Sequence, residues 1–116
     1  MNEHEEVVLR HVLSAEFEGA QELRAQISLV EVVAVWGLGS VSVDFRMRGR
    51  TAARSAQREG HIPVDAEVVN EAGQYVGELL VWVHHGALAG LEYAWVTDEM
   101  PTALPAVESI RLRGRE

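Results

Sequence analysis

The chain has 116 residues, a formal net charge of −8 and no cysteine, and all ten of its basic residues are arginine. This length builds one domain, residues 1–116, around one core. Without cysteine there are no disulfides, thiolate nucleophiles, iron–sulfur clusters or thiolate zinc sites. An acidic chain repels phosphate, so nucleic acid is not an expected partner.

An apolar fraction of 47% and a charged fraction of 24% fit a globular domain. The longest apolar run, residues 32–38, is far shorter than a membrane span of about 18 residues, so no membrane association is expected. The acidic opening lacks the basic segment of a signal peptide, and a cytoplasmic protein is the simplest expectation.

In chain order, the first element is a helix. Asn2 and Glu5 have the spacing of a capping box, and Glu3, Glu5 and Glu6 suit the positive end of a helix dipole. Val8, Leu9, Val12, Leu13 and Phe17 recur at helical spacing. Glu18-Gly19 reads as a break or C-cap, and Ala20, Leu23 and Ile27 mark a second short helical pattern. Residues 29–36 are rich in β-branched side chains and read as a strand. Gly37-Leu38-Gly39-Ser40 is a turn. Residues 41–48 alternate, with Val41, Val43, Phe45 and Met47 on one face, and complete a hairpin.

Residues 49–60 form either a long loop or a short surface helix around Thr51–Arg58. Residues 62–69 alternate again, and Asn70–Gln74 is a five-residue hairpin loop. Residues 75–83 have little polarity on either face, which suits a central strand. His84-His85-Gly86-Ala87 is the next turn and residues 88–96 the next strand. Pro101 ends that region, and residues 106–112 form a last, edge strand. The fold class is therefore α+β: an N-terminal helix, broken near Gly19, packed on a curled antiparallel meander of five to six strands. The expected architecture is a cystatin-like roll whose sheet wraps the helix.

Charge falls in blocks: −5 over residues 1–43, +4 over 44–58, −9 over 59–108 and +2 over 109–116. Apart from histidine, residues 59–108 contain no base at all. One reading is mutual neutralisation, with Arg46 and Arg48 cross-strand from Asp65 and Glu67. The other is an acidic surface that steers a basic protein partner.

Signatures of chemistry are missing. There is no nucleophile elbow, phosphate loop or His-x-x-x-His zinc motif, so no catalytic, cofactor or metal residues are assigned. Gly37-x-Gly39 follows a strand and precedes another, which makes it a turn. His4 and His11 are two helical turns apart, about 10 Å, too far for one ion. His84 and His85 would point to opposite faces if the strand ran through them. His61 and one of that pair would approach across strands as a pH-sensitive couple.

Trp36, Phe45, Tyr75, Trp82, Tyr93 and Trp95 all fall in or at the end of strands, and most are expected in the core. Leu91, Tyr93 and Trp95 share one face of their strand. Either that face is core or it is an exposed anchor patch. In the second case Tyr93, Trp95, Asp98, Glu99 and Met100 form the candidate interaction surface. Trp82 and His84, with Tyr93 and Trp95, are the candidate lining of a cavity between helix and sheet.

Phe17-Glu18-Gly19-Ala20 with Leu23-Arg24-Ala25-Gln26, then Gly90-Leu91-Glu92-Tyr93 and Thr97-Asp98-Glu99-Met100-Pro101, resemble a family of small bacterial proteins without assigned function. The resemblance covers roughly residues 9–112. That family often carries a Cys-Gly-Cys-Gly-Cys-like turn after its first strand, where this chain has Trp36-Gly37-Leu38-Gly39-Ser40. The glycines match and the cysteines do not, which leaves the glycines a conformational role. The resemblance implies no reaction.

Three functions follow as expectations. The first is a non-catalytic protein-interaction module, immunity- or antitoxin-like. The alternative is a small-ligand binder or enzyme using a helix–sheet cavity. The third is a homodimer paired through edge strand 106–112.

Overall fold

A computed structural model describes residues 1–49 and 53–114. The fold is α+β. Helix α1 (Glu3–Val12) begins with the expected capping box: Asn2 Oδ1 accepts the Glu5 N–H at 2.7 Å, and Glu5 Oε1 accepts the Asn2 N–H at 2.8 Å. Such a cap satisfies two of the first-turn amides that lack a partner inside the helix. The helix ends at Leu13, earlier than the spacing through Phe17 suggests. Gly19 does not close α1. It stands at the N-cap of helix α2 (Ala20–Gln26) with φ of 88°. A 3-10 turn, Ile27–Leu29, leads into the sheet.

Among the described residues seven strands follow: β1 (Val30–Val35), β2 (Val43–Met47), β3 (Glu59–His61), β4 (Val64–Val69), β5 (Tyr75–His84), β6 (Ala87–Trp95) and β7 (Ile110–Gly114). All pairings are antiparallel, and the order is β1-β2-β6-β5-β4-β7 with β3 also on β5. The connectivity is therefore not a simple meander. β2 joins β6 across the sheet, and the chain's last strand returns beside β4. β3 and β4 lie along the same partner and are separated at Ile62-Pro63, since proline has no N–H to give a ladder. The Thr51–Arg58 alternative falls partly outside the described residues, and residues 53–58 are not helical. The last strand begins at Ile110, preceded by a 3-10 turn over Val107–Ser109.

One face of the sheet carries the core. Val8, Leu9, Val12 and Leu13 of α1 and Leu23 of α2 are buried with Val43, Phe45, Leu79, Val81, Leu91 and Tyr93 from the strands. Each such aliphatic side chain contributes about 1.5–3 kcal/mol on leaving water. His4 and His11, on one face of α1, reach the returning chain: their Nε2 atoms lie 3.0 Å from Leu104 O and 3.4 Å from Ile110 O. The opposite face is polar and paired. Arg46 pairs with Glu31 of β1, and Glu67 pairs with Arg113 of β7 at 2.9 Å. The expected partners of Arg46 and Arg48 are thus replaced. β2 and β4 are not neighbours, and Arg48 donates to Ser28 O instead.

The two ends of the strand order differ. β7 presents exposed Arg111 and Arg113. β1 presents Val33 and Val35, 49% and 58% exposed, within a stretch from Val32 to Val43 that has no charged side chain. No helix among the described residues is long and apolar enough to cross a membrane.

Candidate functional site

The β1–β2 connection is a tight structure. Trp36 N–H donates to Ser42 O at 3.0 Å, Ser40 N–H to Gly37 O at 2.9 Å, and Ser42 N–H to Ser40 Oγ at 3.0 Å. Gly39 takes φ of 76°, a conformation that glycine adopts without steric cost. These bonds bring Trp36 to the surface, where its indole N–H donates to Asp44 Oδ1 at 3.0 Å. Ser42 turns inward and accepts the Tyr93 N–H on its Oγ at 2.9 Å. That bond continues the β2–β6 contact past the last paired residues, Val43 and Leu91.

β6 delivers Tyr93 and Trp95 to the same region. Gly77, opposite Trp95, makes room for the Tyr93 ring: a Cβ there would meet Tyr93 Cε1 at 2.8 Å and Ala94 O at 2.6 Å. The loop after β6 folds back so that Met100 Cε packs over Gly39. The result is a groove of about 480 Å³ lined by Trp36, Gly37, Ser40, Ser42, Glu92, Tyr93, Ala94, Trp95 and Met100. Beside it, Thr97–Thr102 borders a wider depression with Val76 and Tyr93, where Asp98 and Glu99 are exposed. Thr97 Oγ1 donates to Glu99 O at 3.0 Å and braces this loop.

The structure thus brings Tyr93, Trp95 and Met100 together, and puts Asp98 and Glu99 next door. Their exposures differ. Tyr93 is 6% exposed and belongs to the core, with only part of its ring reaching the groove. Trp95 stands at the rim and is 37% exposed. The Leu91-Tyr93-Trp95 face is therefore core that opens to solvent at its last residue. Burial raises the Tyr93 phenol above its ordinary pKa. Trp36 is the residue the sequence reading missed here. Along with Trp36, Tyr75 and Trp95 are exposed and Trp82 is half-buried, so fewer of the strand aromatics are core than expected.

Trp82 and His84 do not line a cavity between helix and sheet. Both alternate against the buried Val81 and Val83, so they project from the face away from the helices. Trp82 donates its indole N–H to Glu92 Oε1 at 3.0 Å and meets the His61 ring edge-on at 5.4 Å. His61 therefore packs on tryptophan rather than on a second histidine. Its strand register places Glu59, not His61, opposite His84.

At that end of β5, Glu59 Oε2 lies 2.9 Å from His84 Nδ1, and Glu59 Oε1 lies 3.6 Å from His85 Nδ1. Glu59 Oε1 also accepts the His85 backbone N–H at 3.1 Å. The strand does not run through the pair. His85 and Gly86 both take positive φ, 51° and 73°, in a two-residue hairpin loop. That turn folds the His85 ring to 3.9 Å from the His84 ring instead of sending it to the opposite face. The side-chain hydrogen bond with His84, then the backbone bond from His85, hold the Glu59 carboxyl below its usual range.

Compared with protein-family models, curated proteins and solved structures, the chain matches none.

Proposed function

We propose that this protein is a non-catalytic interaction module whose groove between Trp36 and Trp95 receives an extended, arginine- or lysine-bearing segment of a basic protein. The carrying observation is the shared exposure of Trp36, Trp95 and Met100 around one groove, bordered by acidic side chains. Single exposed apolar residues are ordinary, but two tryptophans and a methionine around one depression match the composition of binding surfaces. Tryptophan faces attract guanidinium and ammonium groups. Glu92 lines the groove, Asp44 holds Trp36, and Asp98 and Glu99 lie on the adjoining loop. The base-free stretch 59–108 supplies β5, β6 and this loop, so a cationic segment meets little repulsion there.

The test is selection of random displayed peptides on the immobilised protein. The expected winners combine Arg or Lys with an apolar residue. Their binding weakens in raised salt and is lost in Trp36→Ala and Trp95→Ala. Winners without basic residues, or winners indifferent to both substitutions, would overturn the proposal.

A further inference from the structure

We infer that Glu59, His84 and His85 form a surface site for one divalent transition-metal ion of the zinc type. Glu59 of β3, His84 at the end of β5 and His85 of the following turn converge there, and the ligand-capable atoms all lie within 4.8 Å of one another. A tetrahedral ion with metal–ligand bonds of about 2.0–2.2 Å needs its donors about 3.3–3.6 Å apart. Glu59 Oε2 lies 2.9 Å from His84 Nδ1 and Glu59 Oε1 lies 3.6 Å from His85 Nδ1, so each imidazole stands near that spacing from a different carboxylate oxygen. Gathering the three donors around one ion closes separations of up to 4.8 Å by rotation of exposed side chains.

The donor chemistry agrees. Two imidazoles and a carboxylate suit zinc and its neighbours among the late first-row metals, and are not the all-oxygen set that calcium or magnesium prefers. In the metal-free arrangement each Nδ1 faces the carboxylate. An ion placed between them takes the position of the Nδ1 protons, and each neutral ring then carries its proton on Nε2. Protons are released to solvent only from rings that were charged. Three protein ligands leave at least one position for water, consistent with the exposure of all three residues.

The platform is held from beneath. Gly86 N–H donates to Arg58 O at 3.0 Å, next to Glu59, and Gly86 O accepts from the buried side chain of Gln26 at 3.0 Å and from Ser55 N–H at 2.9 Å. These bonds fix the turn that sets His85 beside His84, so the donors are brought together before an ion arrives. Arg46 and Arg54 line a cleft of about 300 Å³ shared with His84 and His85. Their charge opposes a cation, which points to modest rather than tight binding.

The experiment titrates tag-free protein with Zn²⁺ alone, followed by calorimetry and by ¹⁵N shifts of the histidine rings. One ion per chain is expected, with the ¹⁵N pattern of both His84 and His85 moving to a metal-bound Nδ1. His84→Ala and His85→Asn should each weaken binding by about 10- to 100-fold or more, the range seen when even outer-shell partners are lost. Asparagine is chosen at 85 because it tolerates the left-handed backbone. His61→Gln should leave affinity unchanged. The inference is overturned if millimolar Zn²⁺ gives neither heat nor shift. It is equally overturned if the double variant His84→Ala with His85→Asn still binds as the parent does.

Discussion

Gln26 and Leu88 are 62 positions apart in sequence, and the Leu88 N–H donates to Gln26 Oε1 at 2.9 Å in the buried interior. The same side chain donates to Ala53 O at 2.9 Å and Gly86 O at 3.0 Å. A fully buried amide is thereby satisfied on both its oxygen and its nitrogen, as burial requires. Helix α2, the segment before β3 and the β5–β6 turn are joined at one residue.

Gln26→Met keeps the length and removes the bonds. Leu88 N–H and Ala53 O are then left without that partner. The expected loss is about 1–3 kcal/mol, from the buried Leu88 N–H, since Ala53 is exposed and its carbonyl can turn to water. Urea unfolding with an unchanged slope checks it. A loss below about 1 kcal/mol would show that water replaces the amide.

Gly19→Ala tests the same junction from the other side. A Cβ at Gly19 would overlap Ser55 Oγ and lie 3.0 Å from Ala56 N, with φ at 88°. Ser55 Oγ also donates to Gly19 O at 2.8 Å. The expected cost is about 1–3 kcal/mol of stability, partly recovered when Ser55→Gly is added. Equal costs in the single and double variants would assign the whole effect to φ.

Ser42→Ala leaves the Tyr93 N–H unpaired beneath the groove. The expected loss is about 1–3 kcal/mol in chemical denaturation. Amide exchange should locate it, with Tyr93 N–H losing protection first.

Groove and core separate under substitution. Trp36→Ala should change stability by no more than about 1 kcal/mol, since that ring is half exposed and lies outside the core. Tyr93→Ala should cost about 3–5 kcal/mol as a buried aromatic. Thermal melts of the two variants decide it.

Alkaline pH should act through the tyrosines. Burial is the first cause raising the pKa of both Tyr93 and Tyr75, with Glu78 and Glu67 adding to the effect at Tyr75. A folded pKa above the unfolded value of about 10 means the neutral phenol is favoured in the native state. That stabilisation is complete below pH 10 and is lost as pH rises through the folded values. Phenolate absorbance should therefore appear later in native than in denatured protein.

Much of the fold is legible locally. Asn2 and Glu5 announce the first helix, and alternation in residues 62–69 and the apolar run 75–83 announce β4 and the central β5. β3 is not legible, because Glu59-Gly60-His61 has no apolar residue and takes its conformation from pairing with β5. The pairing of β2 with β6 joins Val43 to Leu91, and no local pattern encodes such a distance. Local alternation therefore points Arg46 toward Asp65 and Glu67, whereas the fold gives it Glu31. Gln26 reads as one more polar residue on a short helix until its distant partners are seen. Glu59 is hidden among the acids of its block, and His84 and His85 converge on it only because the turn reverses the chain at a positive φ.

The unlike ends of the sheet set a valency. β7 closes its end with arginines, while β1 carries no charge beyond Glu31 and leads into the charge-free stretch beside the groove. Strands with inward or edge charges resist further pairing, and those without them accept it. A strand added at β1 meets no second β1-like edge among the described residues. Two copies joined there would use both β1 edges and leave the arginine-bearing β7 edges and the short β3 edges facing outward. A pair formed at β1 would have no β1 edge left for a third copy.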